Sequence, residues 1–72
     1  MRNVFEIDGY GIVLSLVQNY YPVEEDTNAN SFYWGFKYTT GIFEFFYHSQ
    51  KSAAEFQRAK FIIALDNYLD KK

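Results

Sequence analysis

The chain has 72 residues and a formal net charge of −2, which predicts one domain and leaves no room for a second. Aromatic residues make up 22% of the sequence and cysteine is absent, so disulfides and thiolate metal sites are excluded. The mild acidity argues against a nucleic-acid partner, because nucleic-acid binding draws on clustered Lys and Arg.

The sequence also argues against a membrane location. Its longest apolar run, residues 12–17, is broken by Ser15 and is far too short to span a bilayer. Glu6 and Asp8 interrupt the apolar segment that a signal peptide would need. Together with the absence of cysteine, these features predict a cytoplasmic protein.

The first third of the chain predicts two strands. Residues 4–8 alternate weakly and favour a short strand, and residues 9–11, Gly-Tyr-Gly, favour a turn. Residues 12–21 predict a second strand, which would be central because both of its faces begin with apolar residues. Pro22 would end this strand, since it has no amide hydrogen to offer a central ladder. Residues 24–31 show no periodicity and predict an exposed loop.

The centre of the chain, residues 32–48, predicts a β-hairpin in which nine aromatic side chains flank a Thr-Thr-Gly turn. The charges of Lys37 and Glu44 indicate the outward faces of the two strands. The predicted core residues lie on the other faces and are Phe32, Trp34, Phe36, Phe43 and Phe45. A slip of one residue would turn this whole set to water, so the register should be strongly specified.

The last predicted element is a helix that runs to the end of the chain. Ser52 and Glu55 have the spacing of a capping box, and good helix formers without Gly or Pro follow. Arg58 falls within the apolar stripe and should extend its guanidinium outward. The stripe predicted to face the sheet comprises Ala54, Phe61, Ile62, Leu65, Tyr68 and Leu69. A second, narrower stripe comprises Phe56, Ala59 and Ile63, and one sheet cannot cover both.

Together these elements predict an α+β fold, an antiparallel four-stranded meander sheet with one C-terminal helix packed across one face (ββββα). Residues 1–72 would form a single domain. A domain of this size buries only about 60% of its unfolded surface. A core dense in aromatic rings, or association with another chain, must therefore supply its stability.

Motifs for catalysis, cofactors or metals are not found in the sequence. His48 is the one histidine, and Ser49 beside it would point to the opposite face of a strand. Residues 26–30 open like a calcium loop, but Ser31 and Lys37 stand where the loop needs its glycine and its bidentate glutamate. We therefore predict a protein that is not an enzyme and that needs neither a cofactor nor a metal.

The surplus of apolar and tyrosine surface instead predicts a protein-binding domain, whose partner is another protein or a second copy of the chain. Tyrosine suits contact surfaces because it combines a large area with a polar tip. The predicted binding residues are Phe56, Ile63, Tyr33 and Tyr20, with Lys60 and Asp66 as charges at the rim.

Two other functions are compatible with the sequence. Aromatic residues of strand 34–38 could stack bases of a single-stranded nucleic acid. The phosphates would then meet Arg58, Lys37, Lys51 and Lys60. A pocket between helix and sheet could hold a small ligand or a substrate, although a core filled with Phe and Trp leaves little volume for it.

In its small size, acidity and lack of cysteine, the chain is similar to phage-encoded inhibitors of host defence nucleases, such as anti-CRISPR proteins. The resemblance is one of size and composition. It implies an inhibitor of a host enzyme, encoded by a phage or a mobile element, that acts by contact.

Overall fold

The structure is a computed structural model that describes residues 3–7 and 9–70. It contains five antiparallel strands in two sheets, followed by one helix against the larger sheet. The α+β class and the C-terminal helix on one sheet face are thereby confirmed. The first sheet is a hairpin of β1 (Val4–Ile7) and β2 (Tyr10–Val13), and the second has the order β3 (Val17–Asp26), β4 (Ser31–Tyr38) and β5 (Phe43–His48). The helix α1 is Lys51–Asp70.

The predicted second strand, residues 12–21, is wrong as a single element. A 3₁₀ turn, Leu14–Leu16, divides it into β2 and β3. Asn3 holds this turn, because its backbone oxygen accepts from the Leu14 amide at 2.7 Å and its side-chain oxygen accepts from the Ser15 amide at 2.8 Å. Alternating apolar residues fit a strand followed by a turn as well as they fit one long strand, so their spacing cannot separate the two.

The strand end at Pro22 and the loop over residues 24–31 are also wrong. The strand β3 continues to Asp26, the turn covers residues 27–30, and Ser31 opens β4. Pro22 is tolerated because β3 is an edge strand and its register shifts between Tyr21 and Glu24. An edge strand that faces water needs no apolar alternation, which is why these residues resemble a loop.

The aromatic hairpin is confirmed, but two of its five predicted core residues are wrong. Phe36 pairs with Glu44 and Trp34 with Phe46, so these residues share the face that meets the helix. Phe43 and Phe45 instead point away from the helix and are 50% and 44% exposed. The register therefore differs by one residue from the prediction. Glu44 is half-buried on the inner face, where it raises the pKa of Tyr10 chiefly by hydrogen bonding.

The core lies between the helix and the inner faces of the two sheets. Phe61 of α1 is fully buried at its centre, and its ring centroid lies 5.3 Å from that of Phe36 and 5.1 Å from that of Trp34. Such ring pairs stabilise a core beyond their buried area. The buried apolar residues are Ile7, Ile12, Leu14, Trp34, Phe36, Ala54, Phe61 and Leu65.

The helix begins two residues earlier than a cap at Ser52 predicts. Lys51 is its first residue, which places Ser52 inside the first turn and not at the cap, so the predicted capping box is wrong. The predicted inner stripe is correct except at Leu69, which is 51% exposed. Arg58, which the sequence predicts to extend outward, is half-buried and reaches the edge strand β3, where its Nε donates to the Tyr21 backbone oxygen at 2.9 Å. This helix, the only one in the described part of the chain, is not apolar enough to cross a bilayer.

Candidate protein-interaction surface

The face of the three-stranded sheet turned away from the helix is a surface of aromatic rings. Strand residues alternate between faces, so the pairs Tyr33 with Tyr47 and Gly35 with Phe45 lie on this side. The same alternation places Tyr21 of β3, which pairs with Gly35, on this side. It also places Phe43 of β5 here, which pairs with Lys37. We call the five residues the outer aromatic face, namely Tyr21, Tyr33, Phe43, Phe45 and Tyr47.

The rings of the outer aromatic face contact one another in an ordered row. Tyr33 lies 5.3 Å from Tyr47 and 5.8 Å from Phe45, measured between ring centroids. Phe43 stacks on Tyr21 at 6.1 Å and lies parallel to Phe45 at 6.2 Å. Rings already held by their neighbours lose little rotamer freedom on binding, which makes such a surface preorganised for contact.

Gly35 lies in the middle of this face, and its lack of a side chain determines how closely the neighbouring strand packs. A Cβ at Gly35 would overlap the carbonyl oxygen of Glu44 and the ring of Phe45, so the ring lies directly over the glycine backbone. A shallow depression of about 410 Å³ lies beside it between β3 and β5, lined by Gly35 and Phe45 among others. A second depression of about 410 Å³ adjoins it towards the β3–β4 turn and shares Tyr33 and Phe45 as walls.

The charges at the two ends of the outer aromatic face have opposite signs. Glu24 lies opposite Tyr33 and lines the first depression, and Glu25 and Asp26 line the second. At the other end, the Nζ of Lys37 lies 5.5 Å from the centre of the Phe43 ring. The border near the β3–β4 turn is therefore acidic, with a single lysine at the far end of the sheet.

The second helix stripe is exposed as the sequence predicts. Phe56 and Ile63 are 65% and 60% exposed. The Nζ of Lys60 lies 4.7 Å from the centre of the Phe56 ring and covers part of it, a cation–π arrangement typical of exposed helices. Asp66 is also exposed.

The six predicted binding residues do not form one surface. The four helix residues, Phe56, Lys60, Ile63 and Asp66, lie on the solvent side of α1. Tyr33 lies on the far side of the sheet, within the outer aromatic face. Tyr20 lies on the inner face at the sheet edge, where its ring contacts Phe61 at 5.9 Å. Their role in binding remains a prediction.

Sequence reasoning missed Phe43 and Phe45 as surface residues because it assigned them to the core. The signal that could have placed them is Gly35, since a glycine in the middle of a strand indicates that another group approaches its backbone closely. In this structure that group is the ring of Phe45.

His48 has a structural position beside the helix. The Oε1 of Gln57 accepts from the indole Nε1 of Trp34 at 2.9 Å and lies 2.7 Å from the Nε2 of His48. An indole nitrogen only donates, so the shared atom is an acceptor and the Nε2 of His48 must carry a hydrogen. This nitrogen is thus committed to holding the helix and cannot serve as a base.

Comparison with known proteins finds no matching family model, no matching curated protein and no matching solved structure. Among residues 3–7 and 9–70, no cluster of His, Asp and Glu has the arrangement of a metal site.

Proposed function

We propose that the protein is a non-enzymatic binding module that engages another protein through the outer aromatic face. The observation that carries this proposal is the exposure of Phe43, Phe45 and Tyr47, which are 50%, 44% and 58% exposed on one regular sheet face. Contiguous exposed apolar surface with a polar rim is typical of protein-interaction sites. Aromatic residues dominate the binding energy of such sites.

The charges around the face define the chemistry of the partner. Glu24, Glu25 and Asp26 border one end, so the complementary partner has an apolar patch flanked by Lys or Arg at that end. The same carboxylates disfavour a nucleic acid, because its phosphates would lie against them. Among the described residues, Lys37 is the only Lys or Arg of the three-stranded sheet, and Arg58, Lys51 and Lys60 belong to the helix. A single-stranded nucleic acid is therefore the weaker alternative.

A basic surface is what enzymes that act on nucleic acids present to their substrates. We therefore propose the protein as an inhibitor that covers such a surface on a host enzyme, in the manner of a phage-encoded anti-defence protein. It would act in the cytoplasm, by occupying the surface and without chemistry of its own.

Two matched variants test which surface binds. Phe43→Thr with Tyr47→Thr removes two exposed rings of the outer aromatic face while keeping β-branched residues in β5. Phe56→Asp with Ile63→Asp changes the second helix stripe instead. Each variant is immobilised beside the wild-type protein, exposed to host lysate, and the retained proteins are compared by mass spectrometry.

We expect a retained protein with a basic surface that the helix variant keeps and the sheet variant loses. Loss in the helix variant alone, with the fold intact by circular dichroism, would transfer the function to the second helix stripe. A salt-sensitive shift of a single-stranded oligothymidylate by the wild-type protein, lost in the sheet variant, would favour the nucleic-acid alternative.

A further inference from the structure

The two edges of the three-stranded sheet differ in how they are protected. The β3 edge contains Pro22, two register shifts and three carboxylates near its end, all of which oppose pairing with another strand. The β5 edge contains no proline, and its ladder to β4 runs without a register shift. Four of its six residues are aromatic and only Glu44 is acidic. Natural proteins rarely leave such an edge without a partner.

The hydrogen bonds of the hairpin show which backbone groups point out of this edge. The amide of Tyr38 donates to the oxygen of Ile42 at 2.9 Å. By the alternation of an antiparallel ladder, Glu44, Phe46 and His48 then also turn their backbone groups towards β4. Every second residue turns them away, namely Phe43, Phe45 and Tyr47. Within the described residues, β4 is the only strand hydrogen-bonded to β5.

We propose that β5 pairs in antiparallel fashion with β5 of a second copy of the chain, about a two-fold axis. This goes beyond the proposed function, which concerns the sheet face and not its edge. In an antiparallel pair, residues directly opposite each other have their side chains on the same face of the sheet. The two-fold axis must therefore pass beside one residue, which then lies opposite its own copy. An axis midway between two residues would place side chains of opposite faces across from each other.

Side-chain chemistry selects the position of the axis. With the axis at Phe46, Glu44 lies opposite His48 of the second copy and Phe45 lies opposite its Tyr47, each pair occurring twice. With the axis at Phe45, the Glu44 carboxylate would lie opposite the Phe46 ring of the second copy. Both axes form aromatic pairs, which stabilise a ladder, but only the axis at Phe46 adds an acid–imidazole pair. The axis at Phe45 adds instead a second carboxylate–ring pair, of the kind that Glu44 already forms with Phe36 of β4. The structure therefore favours the axis at Phe46.

A second copy fits this edge better than an extended segment of an unrelated protein. Two-fold pairing uses the unprotected edge of both chains at once and forms a closed assembly. The β3 strands, with Pro22 and the acidic residues, become the two outer edges of a six-stranded sheet and stop further growth. The two outer aromatic faces also become one continuous surface.

The test uses the purified full chain and two variants of one position. Tyr47→Pro removes the amide hydrogen that points out of the edge, and Tyr47→Thr removes the ring but keeps that hydrogen. Sedimentation equilibrium from about 1 to 500 μM, a range centred on ordinary micromolar association, measures the mass. Circular dichroism checks the fold. We expect a dimer for the wild-type protein and for Tyr47→Thr, and a monomer for Tyr47→Pro.

Amide hydrogen exchange provides a readout that needs no variant. On raising the protein concentration, the amides of Phe45 and Tyr47 should become protected, while those of Glu44 and Phe46 are already protected by β4. A monomeric wild-type protein at every concentration overturns the proposal, whether or not it binds a partner through its face. A dimer lost in both variants also overturns it, because association would then depend on the ring and not on the edge.

Discussion

Substitution of Gly35 by alanine tests the central feature of the outer aromatic face. The added methyl group would overlap the carbonyl oxygen of Glu44 and approach Cε1 of the Phe45 ring to 2.9 Å. The ring could rotate away, but the carbonyl belongs to the strand paired with β4 and cannot move without disturbing that ladder.

The expected magnitude follows from two opposing effects. Forcing an additional carbon into a packed site costs about 1–3 kcal/mol. Replacing glycine at a compatible position stabilises by about 0.4–1 kcal/mol through the unfolded chain. Because the overlap involves backbone, the cost exceeds the gain, and we expect a net loss of about 1–2 kcal/mol. For a domain of this size each kcal/mol lowers Tm by about 4–8 °C.

Urea unfolding followed by the fluorescence of Trp34, with thermal unfolding by circular dichroism, measures the change. Gly11→Ala is the matched control, because its methyl group would meet only the side chain of Val4, at 3.3 Å. Adding Phe45→Ala to Gly35→Ala should recover part of the loss and not all of it, since the carbonyl overlap remains. Unchanged or increased stability of Gly35→Ala would show that the two strands do not approach as described.

Three further substitutions test the core and its polar contacts. Phe61→Ala should lower the free energy of unfolding by about 3–5 kcal/mol, a loss measurable by urea unfolding, and a loss below 1 kcal/mol would contradict its central position. Gln57→Leu should cost about 1–3 kcal/mol by leaving the Trp34 indole without its acceptor, with a shift in tryptophan emission, whereas unchanged emission and stability would contradict the shared hydrogen bond. The hydrogen bond to Glu44 raises the pKa of Tyr10 to about 12, so its stabilising contribution is complete below pH 10 and is lost between pH 10 and 12. The stability difference between wild-type protein and Tyr10→Phe should therefore shrink over that range, and a constant difference would refute the assignment.

The sequence was sufficient for those elements whose signals are local. The helix could be predicted because its residues favour helix and show a 3.6-residue apolar spacing, and the exposure of Phe56 and Ile63 followed from the same spacing. The aromatic hairpin could be predicted from its turn and its flanking rings. The continuation of β3 past Pro22 could not be predicted from the sequence. It depends on β3 being an edge strand, which is a property of the whole sheet.

The outer aromatic face could not be predicted because it depends on the register between β4 and β5. The charge of Glu44 led to the wrong assignment of faces in β5. Glu44 indicated an outward face, yet it pairs with Phe36 on the inner face and is half-buried there. The residue whose pKa it raises, Tyr10, is distant in sequence. Because the observed register differs by one residue from the predicted one, Phe43 and Phe45 lie on the surface and not in the core. A strand with large rings on both of its faces carries little information about which face is buried.

The helix and the outer aromatic face lie on opposite sides of the three-stranded sheet. A body bound to one side therefore leaves Phe56 and Ile63, or the rings of β5, accessible on the other. A chain of this geometry can be sandwiched between two larger molecules, so a ternary complex is sterically open to it even though it is only 72 residues long.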